Sequence, residues 1–392
     1  MELKINFSGR AHKYNQAEID AVIKAMQNAD PLTQGRYLKE FEAAFSNYIK
    51  AQYSFALCNA TAALELAAEL CQFKTGDEVI IPSHTFTSSA YPFMKKGARI
   101  VWADIDLEIG VVTAQTIKEN ITPRTKAIVV VHLYGYTVDM PEIMKIAKEH
   151  NLLVIEDAAQ SLGSEINGRK SGTFGDFGIF SFQSHKNITT LGEGGMLIVK
   201  NKKHAQIIPM LRHNGHCDFS FKKEEYWLPA MGNVDLPELN GEILWPNNYC
   251  LGEIECALGV KLLKRIDRIN EEKRERAVYF IDELKKYTEL KFSRIDNKRH
   301  TYHLLVARFK NGTRNEFIRQ MFYEKGIKCI VQYCPLNRYP AYQKAGFGEA
   351  NCHNADEFFD NMVSFPFHHW MSEGDFKYML SSTKDVLEAL RR

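Results

Sequence analysis

The sequence predicts an α/β protein, with a mostly parallel sheet between layers of helix and a smaller α+β unit after it. Three observations predict this. From about residue 50 to 200, short β-branched or apolar runs alternate with helix-like segments, the pattern of repeated βαβ units. Beyond residue 247 a long stretch without proline carries apolar residues at helical spacing and leads into a second, shorter set of elements. The chain has 392 residues, more than one hydrophobic core usually organises, so a second unit is expected. The expected division is 1–250 for the large unit and 251–392 for the small one.

In chain order, YSFALC (53–58) reads as a strand and ATAALELAAELCQF (60–73) as an alanine-rich helix. DEVIIP (77–82) is a strand, HTFTSSAYPFMKKG (84–97) a helical connection and RIVWADI (99–105) the next strand. KAIVVVHLYG (126–135), the helix MPEIMKIAKEH (140–150), then LLVIEDA (152–158), GIFSF (178–182) and GGMLIV (194–199) complete the large sheet. Residues 217–247 hold Trp227, Trp245, three prolines and little periodicity, which reads as a long loop. Residues 248–287 read as one long helix; the strand YHLLVARF (302–309), a helix with a Thr313/Glu316 capping box, the strand IKCIVQY (327–333) and a last helix opening at Ser372 follow.

Composition excludes several functions. The 50 basic and 48 acidic residues leave a net charge of +2, so no global field holds nucleic acid, and a small-molecule partner is expected. The eight cysteines form no CxxC pair, and MELKINFSGRAHKY has no apolar run of signal-peptide length. Cytoplasmic residence with reduced thiols is therefore expected. No stretch approaches the roughly 18 apolar residues of a membrane span.

Ser181–Gly195 reads SFQSHKNITTLGEGG, with Lys186 between a strand and a glycine pair. A lysine that bonds pyridoxal phosphate as a Schiff base needs a carboxylate for the ring nitrogen, donors for the phosphate and an aromatic cover. Asp157 ends the apolar strand LLVIED, where a buried carboxylate calls for a cationic partner. Gln160 follows three residues on and can reach the cofactor's phenolic oxygen. The amides of Thr61 and Ala62 open the helix after CNATAAL, the Ser181 hydroxyl adds a donor, and Phe86 can stack on the ring. Each also has a plainer reading: Lys186 as a solvated charge, Asp157 or Thr61 as a helix cap, and Phe86 as core.

These residues resemble the DegT/DnrJ/EryC1 type of sugar aminotransferase, within the fold-type I pyridoxal phosphate enzymes. The resemblance spans nearly the whole chain. It rests on NATAAL, PSHTF, DIDLEIG, ITPRTKAIVVVHLYG and IEDAAQSLG, then on GTFGDFGIFSFQSHKN, GEGG, RHNGH, NNYCLGEIECALG and YCPLNRYPAY. It implies a seven-stranded mixed sheet and pyridoxal 5'-phosphate as cofactor, with Lys186 as the covalent lysine and acid/base and Asp157 as pyridinium partner. It further implies Gln160 at the phenolic oxygen, Thr61, Ala62 and Ser181 at the phosphate, and Phe86 on the ring. Asn248 matches an asparagine that reaches the neighbouring subunit's cofactor phosphate, which implies a homodimer with shared sites. L-glutamate as donor and a nucleotide-linked keto-deoxysugar as acceptor, feeding surface-polysaccharide or glycan synthesis, are implied in the same way.

The chain departs from the family pattern at Ala60, Cys250 and Asn337, where glycine, arginine and histidine are usual. The last two departures remove positive charge from places that hold anionic or hydroxylated parts of substrates, so a smaller phosphorylated or cyclitol ketone is the alternative acceptor. Arg212, His213, Tyr333 and Asn337 are the candidate substrate contacts; for Arg212 and His213, loop packing is the alternative. A cofactor-binding regulator without turnover would be free to lose Lys186, Asp157 and Gln160, and a nicotinamide enzyme would need a GxGxxG turn that GEGG does not supply.

Overall fold

The computed structural model describes residues 3–218, 232–310 and 312–391. Its centre is a seven-stranded sheet built of β1 (Tyr53–Leu57), β2 (Glu78–Pro82), β3 (Arg99–Ala103), β4 (Thr125–Val131), β5 (Leu153–Asp157), β6 (Phe177–Ser181) and β7 (Gly195–Val199), in the spatial order β1-β7-β6-β5-β4-β2-β3. The block from β6 to β3 is parallel, and β7 runs antiparallel to both β1 and β6. The seven runs read from the sequence as the large sheet are these strands. Ile128–Val131 read as an unbroken β-branched run because both faces of β4 are covered.

Helices α1 (Gln16–Asn28) and α2 (Arg36–Ile49) precede the sheet; α1 opens on an Asn15/Glu18 capping box. Helix α3 (Ala60–Leu70) connects β1 to β2 and is buried nearly all round, which is why it can be alanine-rich and apolar without a polar face. Leu38, Phe41 and Phe45 of α2 pack with Phe180 and Phe182 on one side of the sheet, and a larger core fills the other.

Two expectations for the chain beyond residue 247 are corrected. The single long helix is two, Glu253–Leu263 and Ile266–Leu284, with Lys264 and Arg265 between them. The first packs with α2 in the core of the large sheet, and Arg265 turns to an ion pair with Glu18. IKCIVQY is not a strand: it bridges Ser364 once at Ile330, and the Gln332 carbonyl then accepts from the Tyr134 hydroxyl instead of a ladder partner. The small sheet is β8 (Leu290–Phe292), β9 (Leu305–Phe309) and β10 (Met362–Phe365), all antiparallel. Its core is aromatic, with Phe280, Phe309, Phe317 and Phe365 in contact, and Ile5 from the chain's start joins it. The final helix, Glu373–Leu390, is capped by Ser372 as expected.

Within residues 217–247 the described parts form two-residue ladders, His216–Cys217 with Asn233–Val234 and Glu238–Leu239 with Glu242–Ile243. Residues 219–231 of that expected loop, including Trp227, lie outside the described residues. Among the described residues no helix is long and apolar enough to cross a membrane.

Candidate active site

A cavity of about 650 Å³ opens at the carboxyl ends of the parallel strands, the place where open α/β sheets bind ligands. Its wall brings together six of the residues singled out for cofactor binding, Thr61, Phe86, Asp157, Gln160, Ser181 and Lys186, with Tyr333 from the chain beyond β9. Thr61 comes from the start of α3, Phe86 from the turn after β2, Asp157 and Ser181 from the last positions of β5 and β6.

Asp157 is buried, and its carboxylate accepts from the Ser89 hydroxyl at 2.6 Å and from the Ala159 amide at 3.1 Å. Among the described residues no protein cation is bonded to it. Lys186 follows a tight turn in which its amide donates to Gln183 O, and its own carbonyl lies 3.1 Å from His12 Nε2. Burial lowers the pKa of its amine, against the opposing charges of Asp157 and Glu193. Gln160 is fixed at both ends: Oε1 accepts from the Tyr134 amide at 2.8 Å, and Nε2 donates to the Tyr333 hydroxyl at 3.1 Å. Burial pushes that phenol up to about 12, so it stays neutral. Phe86 is half exposed at the mouth, edge-on to Tyr333 with ring centroids 6.1 Å apart.

The glycines of GEGG have a steric reason. A Cβ on Gly195 would sit 2.4–2.6 Å from the backbone of Asn59 and Ala60, so β7 can pass beneath the start of α3 only as glycine. Ala60, where glycine is usual, is the first residue of α3 and has no positive φ, so alanine fits.

Several candidates lie elsewhere. Ala62 does not line the cavity, and its amide already donates to the Asn59 side chain at 2.8 Å, the helix cap. Arg212 is corrected to a structural residue: it is buried, pairs with Glu42 and donates to Ala56 O at 2.8 Å. His213 stacks on His216 at 4.4 Å and bridges Asn248, outside the cavity. Asn337 is buried away from the cavity, with Nδ2 at 3.4 Å from Gly348 O. Asn248 is exposed and does not line its own chain's cavity.

Sequence reasoning missed Asn59, Glu193 and His303, which line the cavity. His303 is buried, Nδ1 lies 2.9 Å from Asn187 Oδ1, and burial together with the charges of Lys186 and Lys273 holds its pKa well below the usual histidine value. Asn59 carried a visible signal, an N-cap residue directly before an alanine-rich helix. His303 carried none, because the strand it precedes belongs to the other sheet.

The residues present fit pyridoxal phosphate. Asp157 offers a buried carboxylate with unused lone pairs to a ring cation, Lys186 faces the same space, and Thr61, Ser181 and the amides of Ala60 and Thr61 at the start of α3 offer phosphate donors.

The comparisons agree. The family model described as the DegT/DnrJ/EryC1/StrS aminotransferase family matches residues 13–384. GDP-perosamine synthase of Caulobacter vibrioides is 32% identical over 94% of this chain and 95% of its own. The structure described as Helicobacter pylori PseC, an aminotransferase involved in the biosynthesis of pseudoaminic acid, superposes with a TM-score of 0.87 at 25% identity, covering 98% of this chain and 99% of that one. The pyridoxal phosphate form of a putative sugar aminotransferase from Streptococcus pneumoniae covers 98% and 99% with a TM-score of 0.80 at 25% identity. Fold and site together define a pyridoxal phosphate-dependent transferase. The chain belongs to the DegT/DnrJ/EryC1/StrS aminotransferase family, and its cofactor is pyridoxal 5'-phosphate.

Proposed function

We propose that this aminotransferase moves an amino group from L-glutamate to the keto carbon of a nucleotide-linked keto-deoxysugar, in the cytoplasm, for surface-polysaccharide or glycan synthesis. The observation that carries the reading is the pairing of Lys186 and Asp157 on the wall of one cavity wide enough for a cofactor and a sugar. The similarity to GDP-perosamine synthase supports a nucleotide sugar as acceptor.

When bound, pyridoxal phosphate supplies an electron sink for the pair left when an α-proton departs. The chain's residues do the rest. Asp157 holds positive charge at the ring nitrogen, a preorganised electrostatic contribution that requires no reorientation of water. Lys186 Nζ, its pKa lowered by burial, takes a proton from the donor's α-carbon and returns one in the second half of the cycle. Gln160, tied at both ends, sets the position of whatever oxygen meets its side chain. The donor product leaves before the acceptor enters, so the kinetics are ping-pong.

A homodimer with shared sites is part of this reading; its support is that Asn248 is exposed outside its own chain's cavity and that α1 leaves Ile19, Ile23 and Met26 exposed on one face. The test is an absorption titration of the purified protein. L-glutamate should bleach the visible cofactor band, and a nucleotide-linked keto-deoxysugar should restore it with an amino sugar found by mass spectrometry. Lys186→Ala should lower turnover by at least about 10³-fold. Restoration by a phosphorylated or cyclitol ketone, and not by any sugar nucleotide, would transfer the assignment to that class.

A further inference from the structure

Behind Lys186 lies a second, smaller recess of about 30 Å³. It shares Phe7, His185, Lys186, His303 and Leu304 with the main cavity, so the two adjoin across the lysine. Among the described residues its wall carries Arg10, His12, His185, Lys186, Lys273, His368 and His369, and no aspartate or glutamate.

Lys273 is the unusual member. It comes from the helix Ile266–Leu284, is only 6% exposed, and among the described residues its ammonium has one hydrogen bond, to the His303 carbonyl at 3.0 Å, and no carboxylate partner, with the Phe367 ring at 5.6 Å. A buried lysine without a counter-ion is costly, and burial alone pulls its pKa down to about 7. The groups facing it do not compensate: His12, His303 and His368 are held neutral by burial, and His369 is engaged by Glu272. Nε2 of His12 donates to the Lys186 carbonyl, so Nδ1 of that neutral ring is an acceptor, and Nδ1 of His368 is buried with no hydrogen-bond partner among the described residues. A buried lysine with no carboxylate beside it marks a place for an anion. The volume admits a small head group and excludes a ring.

We infer that this recess seats one carboxylate of the amino donor, with Lys273 as its principal cation. The inference rests on the aminotransferase reading with a dicarboxylic donor. It also accounts for position 250: the chain carries cysteine where an arginine is usual, and that thiol donates to the Arg212 carbonyl at 3.5 Å, away from both cavities. The recess carries positive charge of its own, on Lys273 and Arg10.

The experiment uses the cofactor-loaded protein and two readouts. Calorimetric titration with glutarate, a dicarboxylate without an amine, reads the seat without any reaction, and rapid mixing with L-glutamate reads the first half-reaction. Lys273→Met removes the charge but keeps an apolar stem in the buried space. It should weaken glutarate binding and raise the half-saturating L-glutamate concentration by about tenfold, with the bleaching rate at saturation and the visible band unchanged. Arg10→Gln, at an exposed position, should weaken both by about twofold to threefold and guards against failure of the buried variant to fold. Glutarate binding unchanged in a folded Lys273→Met protein, or lost equally with sodium chloride in both proteins, would overturn the inference and leave the aminotransferase assignment intact. A wild-type protein bleached by no amino acid at all would instead sink the functional reading.

Discussion

Glu156 and Asp157 are consecutive carboxylates at the end of one strand, both buried, and they face opposite sides of the sheet, as neighbouring strand residues must. On the far side, Glu156 accepts from the amides of Gly172, Phe174 and Gly175 and from His132 Nε2 at 2.9 Å, four donors for a group with about four acceptor positions. On the cavity side, Asp157 accepts, among the described residues, from Ser89 and Ala159 only. One acid is consumed in fastening the loop of residues 172–175 beneath the sheet. The other keeps acceptor capacity aimed at open space. Burial alone therefore does not separate a structural carboxylate from a functional one, whereas the count of unused lone pairs does.

The contrast is broken most sharply at Asp157. Asparagine has nearly the same shape and can still accept from Ser89, so Asp157→Asn should unfold within about 1 kcal/mol of wild type. It lacks the charge that stabilises a ring cation, so turnover should fall by about 10²–10³-fold. Parallel denaturation curves and steady-state rates decide this, and a drop in stability matching the drop in rate would assign Asp157 to the scaffold with its neighbour. Glu156→Gln should do the reverse. An amide in place of the carboxylate turns a donor toward backbone N–H groups, which should destabilise the fold by about 3 kcal/mol while activity per folded molecule stays within about twofold. A stable but inactive Glu156→Gln protein would mean that the far side of the sheet also serves the chemistry.

Much of this was legible in the sequence, because the information was local. Strand runs, the carboxylate ending LLVIED, the lysine four residues past GIFSF and the glycines of GEGG announce themselves within a few residues. What failed was set by distant partners. Arg212 reads as a substrate contact until Glu42, 170 positions earlier, meets its guanidinium. IKCIVQY has the composition of a strand, yet the hydroxyl of Tyr134 takes the Gln332 carbonyl, and the chain turns Tyr333 into the site. At the break between the two helices, Arg265 pairs with Glu18, on α1, nearly 250 positions earlier in the chain. His303 and Lys273 approach the cavity from the small unit, where no local pattern refers to Lys186. The spacing that singled out the candidate cofactor residues carries no information about such long-range competition.

The smallest expected effect tests how loosely the cavity side is tied. Tyr333→Phe removes the acceptor of the Gln160 Nε2 hydrogen bond and leaves Oε1 held by the Tyr134 amide. A neutral hydrogen bond of this kind contributes about 1 kcal/mol, so cofactor affinity or turnover should fall by roughly fivefold, with the fold unaffected. Because burial already keeps the phenol neutral up to about 12, the pH–rate profile between about pH 6 and 10 should keep its shape in the variant. A changed profile would make the Tyr333 hydroxyl a participant in proton transfer. A reduced amplitude with an unchanged profile would leave it as the support that positions Gln160, in the same way that Ser89 supports Asp157 and unlike the saturated shell around Glu156.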